Sequence, residues 1–185
     1  VSNILIAESL AKGDFSLTAG LLSTFSVINA ITRWGSTQVQ SMYLPVFAED
    51  TDITATFAFQ EATPAFNPFQ LKTKATEQNG QMTITGEKTL VILGDTADVF
   101  LVSAEFNGQP DIFVVQCDES ISIKANPAMG LKAAETATLQ FNQTPALGLG
   151  DADFDYTAFV DLGNLMWCAM AIGTCEAIKA YCIKY

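Results

Sequence analysis

Histidine is missing from the 185-residue chain. That absence excludes Ser-His-Asp and Cys-His nucleophilic catalysis, HExxH zinc sites and most transition-metal centres, so no metal site is expected. Positive charge is scarce, with 9 basic against 20 acidic residues and a net charge of -11. Neutralising phosphates takes Lys and Arg in excess, so no nucleic-acid partner is expected. Neither GxGxxG nor GxxxxGK occurs, which rules out a Rossmann or P-loop nucleotide site. No signal peptide pattern stands at the start, and no unbroken run of about 20 apolar residues predicts a transmembrane segment. Cysteine is limited to Cys117, Cys168, Cys175 and Cys182, with no CxxC pair. The last three are seven apart, roughly 10 Å along a helix, which is too far for a disulfide. They read as small buried hydrophobes of a reduced, cytoplasmic protein.

What is present is apolar: 49% of the residues, with a mean hydropathy of +0.26. A chain of this length and composition folds around a sizeable core. Residues 1 to about 50 read as helices. Ile4, Leu5, Ile6 and Leu10 lead a short one that stops at Gly13. Leu17, Leu21, Leu22, Phe25, Ile28, Ile31 and Trp34, at three- and four-residue spacings, mark a second that ends at Gly35. Thr37 to Gln40 matches a capping box opening a third, whose end Pro45 is expected to disturb.

From about Thr54 the period changes to two. Residues 54–59, 70–76, 81–88, 99–104, 111–117, 121–125 and 137–142 are strand candidates, rich in Phe, Val, Ile and Thr. Asn79-Gly80 predicts a type I′ turn pairing 70–76 with 81–88 as an antiparallel hairpin. Six or seven such strands make an antiparallel barrel or sandwich. Asp151, Asp153 and Asp155 read as a solvated linker leading into a helix; a calcium loop would need a Gly and a Glu that they lack.

Residues 159–185 read as one helix, with 165–172 apolar on every side. A helix apolar all round belongs inside a larger assembly. The chain begins with Val1 and stops in mid-helix at Tyr185, so a segment of a longer protein is expected, or tight oligomerisation, or both.

Helices, a β-domain and a long buried helix form an uncommon order, and the junctions sharpen it. The run from Gly35 to Pro45 resembles the G-T-x-x-Q-K-x-x-Y-L-P segment of acyl-CoA dehydrogenases. Phe57 to Asn67 falls where that family carries A-x-T-E-P-x-A-G-S-D, and Lys72 to Ala75 resembles the strand after it. Gly86-Glu87-Lys88 resembles its N-G-x-K, and Gly94 to Val102 its G-x-x-A-D-x-x-x-V. Met129 to Phe141 resembles M-G-x-R-x-S-x-T-x-x-L-x-F, and Gly173 to Ala177 the G-x-A-x-A of the first C-terminal helix.

The resemblance implies an α+β architecture in three parts. Residues 1–50 would end an N-terminal helical domain, 51–157 form an antiparallel β-barrel or sandwich middle domain, and 158–185 start a C-terminal helical bundle. It also implies FAD as cofactor, an acyl-CoA substrate, α,β-dehydrogenation and a glutamate base beyond residue 185, leaving no catalytic residue here. A homo-oligomer or a related dehydrogenase subunit is implied as partner, and the electron acceptor is open. By position, Phe59, Gln60, Leu90, Val91 and Ile92 would meet the flavin, and Ala65 and Phe66 the substrate. The chain departs from the family there: Gln60 replaces Thr, Leu90 replaces Trp, Ile92 replaces Thr, and Ala65-Phe66-Asn67 replaces Gly-Ser-Asp. Gln60 keeps two amide donors for a flavin carbonyl, whereas the side chain of Ile92 donates nothing. Two readings stand: a divergent flavin enzyme, or an FAD-impaired, non-catalytic subunit of the same fold. Glu61 reads as structural, Glu176 and Lys179 as a pair on the helix surface, Lys132 as a domain-contact charge, and Trp34 and Trp167 as core residues.

Overall fold

A computed structural model describes residues 2–49, 52–126, 129–151 and 153–184. The domain boundary expected at residues 50 and 51, and Tyr185, lie outside them. Three helices come first: α1 (Ser2–Ala11), α2 (Phe15–Trp34) and α3 (Thr37–Glu49). Asp14 caps α2, its carboxylate accepting from Leu17 N–H at 2.8 Å. The capping box expected at Thr37 does not form. Ser36 caps α3 instead, accepting from Val39 N–H at 3.3 Å, while the Gln40 amide donates to the last carbonyls of α2, Ile31 and Thr32. Nor does Pro45 end the helix, which runs on to Glu49. Val39 and Tyr43 anchor α3 in the core, and that burial outweighs the one lost hydrogen bond.

Seven strands follow: β1 (Ala55–Ala58), β2 (Lys74–Gln78), β3 (Gln81–Val91), β4 (Val99–Phe106), β5 (Gln109–Gln116), β6 (Ile121–Ala125) and β7 (Ala137–Gly148). The predicted hairpin is present as β2–β3, with Ala75 opposite Ile84 and positive φ at Asn79 and Gly80. A second Asn-Gly turn, Asn107-Gly108, joins β4 to β5 in the same way, with Phe106 opposite Gln109. Strands β4, β2, β3, β7 and β5 close into a barrel because β5 pairs back onto β4; β1 flanks β4 and β6 flanks β7. The barrel is not purely antiparallel. Strand β4 runs parallel to β1 and, at one residue pair, to β2. The intervening loop and hairpin return the chain in the same direction, which a two-residue turn cannot do.

Strand β4 is buried on both faces, so it reads as a continuous apolar run. Phe100, Val102 and Ala104 fill the barrel with Phe113 and Phe141. Val99 and Leu101 face the helices, packing with Val27, Ile31 and Phe159. The last helix, α4 (Tyr156–Cys182), crosses α1 closely at Gly173, where a Cβ would lie 2.0 Å from the Glu8 carbonyl oxygen. Thr174 Oγ1 donates to the Ala11 carbonyl there at 3.1 Å, and Lys12 pairs with Glu176 across the crossing. Glu176 therefore joins α1 to α4 rather than pairing with Lys179.

Only one face of α4 is buried, through Phe159, Val160, Ala169, Met170 and Gly173. All four cysteines are free and exposed, contrary to expectation. Cys168 and Cys175 each lie two residues from a packed position, Met170 and Gly173, hence about 200° around the helix from it. Trp167 is likewise 45% exposed rather than in a core, whereas Trp34 packs on Phe159 with ring centroids 5.3 Å apart. By length and composition α2 and α4 could each cross a membrane. Polar residues such as Ser23, Asn29, Asp161 and Asn164 break their sequences, and α2 buries a face on β1 and α3.

Candidate functional site

Past β1 the chain meets a buried ion pair. Lys88 and Glu61 are both buried, with Nζ 2.9 Å from Oε1. The ammonium also donates to Ser103 Oγ at 2.9 Å and to the Phe59 carbonyl at 3.2 Å, which uses all three of its N–H donors. The carboxylate accepts from the backbone N–H groups of Lys72 and Thr73 at 2.8 and 3.0 Å. Burial favours the neutral acid, but the Lys88 ammonium and those two N–H groups overcome it and hold Glu61 down at about 2. Burial pulls Lys88 down to about 8 against the opposing pull of Glu61. Lys88 falls because its burial outweighs the attraction of Glu61, whereas Glu61 has two backbone N–H donors besides the ammonium to hold its charge. Both groups are charged at neutral pH. The pair ties the end of β1 to the end of β3, and Thr89 N–H donates to the Gln60 carbonyl at 2.8 Å beside it.

One residue beyond, β3 bulges. Lys88 faces Leu139 and Val91 faces Ala137, so three steps on β3 match two on β7. Leu90 takes up the extra residue with φ 53°, a strained conformation for a leucine. It turns outward, 53% exposed, while Val91 next to it points into the barrel core.

Leu90 opens onto a cavity of about 850 Å³ between α2, α4 and the edge of the barrel. Near α1 its wall is apolar, formed by Ala19, Leu22, Ile92, Met166 and Met170. Toward the C-terminal end of α2 and the start of α4 it is lined by Asn29, Arg33, Trp34, Gly163 and Asn164. Among the described lining residues there is no carboxylate, thiol or lysine, and the single charge is Arg33.

Residues 56–144 match the family model for the middle domain of acyl-CoA dehydrogenases. The chain is 27% identical over 197 residues to the mitochondrial short/branched chain specific acyl-CoA dehydrogenase of Rattus norvegicus, covering 99% of this chain and 45% of that one. It is 29% identical over 189 residues to a probable acyl-CoA dehydrogenase of Bacillus subtilis (strain 168), covering 97% and 31%. The butyryl-CoA dehydrogenase structure from Megasphaera elsdenii superposes with a TM-score of 0.82 at 25% identity, over 98% of this chain and 51% of that one. A glutaryl-coenzyme A dehydrogenase in complex with glutaryl-CoA shares the fold, with a TM-score of 0.84 at 19% identity over 98% and 49%.

Over residues 56–144 the chain is similar to the middle domain of acyl-CoA dehydrogenases, and over nearly its whole length it shares the fold of the butyryl-CoA dehydrogenase. The chain spans less than half the length of these two curated relatives. Of the positions that the family motifs single out, Phe59, Gln60, Phe66, Leu90 and Ile92 all line the cavity. Ala65 and Val91 do not. Ala65 is exposed with φ 49°, and Val91 is committed to the barrel, which leaves only its backbone near the site. Glu61 is structural, as its place in the family loop suggested: it lies under the wall in the ion pair and not on the cavity. Sequence reasoning missed Lys88 as its partner. A signal was present, because the alternation along β3 puts Lys88 in phase with Met82 and Ile84, and a lysine in the buried phase of a strand needs a counter-charge. Arg33 was missed as well, since nothing local marks a helix-end arginine as facing a cavity.

Proposed function

We propose that this chain works as part of an FAD-dependent, acyl-CoA dehydrogenase-like oxidoreductase that removes hydrogen from the α and β carbons of acyl-CoA thioesters. The observation that carries this is the cavity, apolar at one end, polar at the other, and bordered by the positions that the family motifs single out. The residues present fit a flat aromatic cofactor. Leu90 and Ile92 offer an apolar wall, and Gln60 spends no side-chain hydrogen bond on the protein among the described residues, so its amide is available to a polar ring edge. When bound, FAD would supply the two-electron acceptor. The chain's own part is to hold and orient: the Lys88–Glu61 pair fixes the Phe59–Gln60 wall, and the bulge at Leu90 presents its apolar side chain and excludes water. No carboxylate, thiol or amine is among the described lining residues, which supports a base supplied from outside residues 1–185.

A specific observation favours the second reading, an FAD-impaired subunit. The side chains of Leu90 and Ile92 carry no donor, so polar contact with the ring rests on Gln60 and backbone. The visible spectrum of the protein purified at its native length separates the two. A yellow protein that bleaches on adding butyryl-CoA supports the dehydrogenase; a colourless one that gains no flavin spectrum with added FAD overturns it. Four free, exposed thiols support a reducing, cytoplasmic compartment, and the exposed side of α4 supports assembly with further copies or a related subunit.

A further inference from the structure

The chain carries 20 acidic residues, yet none is among the described residues that line the cavity. Its only arginine is there. In a protein of net charge -11, a cavity whose single charge is positive selects for an anion against the field of the whole molecule. Arg33 makes no ion pair among the described residues, and its guanidinium lies over the Trp34 ring, 4.6 Å from the centroid, which holds the fork in place. Asn29, one turn earlier on α2, and Asn164 on α4 line the same end, and neither spends a side-chain hydrogen bond on the protein among the described residues. Gly163 leaves the opposite wall low, since a Cβ there would meet nothing within 4 Å.

We infer that Arg33, with Asn29 and Asn164, forms a subsite for the phosphoester group of the thioester's carrier. This rests on the acyl-thioester reading and extends it. Arg33 is exposed and so marks the mouth, where the carrier emerges. The apolar end begins at Ala19, fourteen residues earlier on α2, about 21 Å away at 1.5 Å per residue. That separation suits an acyl chain lying against Leu22, Ile92 and Met170 with an extended pantetheine arm leading out to the arginine. The guanidinium binds phosphate oxygens in a fork, and the two amides supply further donors.

Trp34 beneath the guanidinium and Trp167 on the wall are intrinsic fluorescent reporters of the cavity. Titration of the protein at its native length with butyryl-CoA and with butyryl-pantetheine, the same thioester without phosphates, is the test. Wild type should bind butyryl-CoA more tightly. Arg33→Gln should weaken butyryl-CoA by about tenfold, the loss of a hydrogen-bonded charge pair, and leave butyryl-pantetheine unchanged. Arg33→Lys should keep part of the preference, and added salt should erode it in wild type. FAD also carries phosphates, so a parallel titration with FAD and riboflavin distinguishes the sources: Arg33→Gln should not change either. Equal binding of the two thioesters by wild type overturns the subsite alone. A loss of FAD binding instead of butyryl-CoA binding reassigns the arginine to the dinucleotide and overturns it too. Binding of neither thioester overturns the acyl-thioester reading and the subsite with it.

Discussion

Replacing Lys88 with methionine removes the cation of the buried pair at nearly constant volume. Glu61 would then keep its Lys72 and Thr73 N–H donors but lose its counter-charge among the described residues, and Ser103 Oγ and the Phe59 carbonyl would lose a donor. Removing one member of a buried ion pair costs about 3–5 kcal/mol. For a chain of this size each kcal/mol moves the midpoint by about 2–4 °C, so Lys88→Met should lower Tm by about 6–20 °C. Glu61→Gln/Lys88→Met removes both charges. It should be more stable than the sum of the single changes predicts, by about 2 kcal/mol, because no unpaired ion is left. Denaturant and thermal unfolding of the four proteins measures this. The Glu61 carboxylate also sets an acid limb. Its folded value lies below its unfolded one, so its contribution is complete above about pH 4.5 and fades as pH falls toward about 2. Lys88→Met should shrink that limb or reverse its sign, because without the ammonium burial pushes the folded Glu61 carboxyl back up toward or above its unfolded value. A Lys88→Met protein within about 1 kcal/mol of wild type, or an additive double mutant, refutes this account of the pair.

Gly173→Ala should separate α1 from α4, since the added Cβ meets backbone that cannot rotate away; a loss of about 1–3 kcal/mol, and faster hydrogen exchange in α1 than in the barrel, is expected. Leu165, Trp167 and Ile172 are each about half exposed on α4, and burying such side chains is worth about 1.5–3 kcal/mol apiece. The isolated chain should therefore associate with rising concentration in sedimentation, and Leu165→Lys with Ile172→Lys should reduce that association.

The parts of this fold legible in the amino-acid order are those governed by neighbours in the chain. Asp14 and Gly35 punctuate α2 because caps act within one turn. Asn79-Gly80 sets the register of β2 on β3 because positive φ at two successive residues closes only one kind of hairpin. The family motifs, spread along nearly the whole chain, further point to the right order of helices, barrel and helix. Local order did not reveal that β1 lies parallel to β4, or that Ser36 rather than Thr37 caps α3, because each depends on where a later or earlier segment returns. At the site the division is sharper. Gln60, Leu90 and Ile92 could be named by position, but the outward turn of Leu90 and the inward one of Val91 come from a bulge that exists only because β7 pairs with one residue fewer. Glu61 and Lys88 are 27 residues apart. Arg33 meets Gly163 and Asn164 across a groove between helices separated by the entire barrel. Buried charge pairing and cavity electrostatics are properties of surfaces brought together, and packing alone sets which surfaces meet.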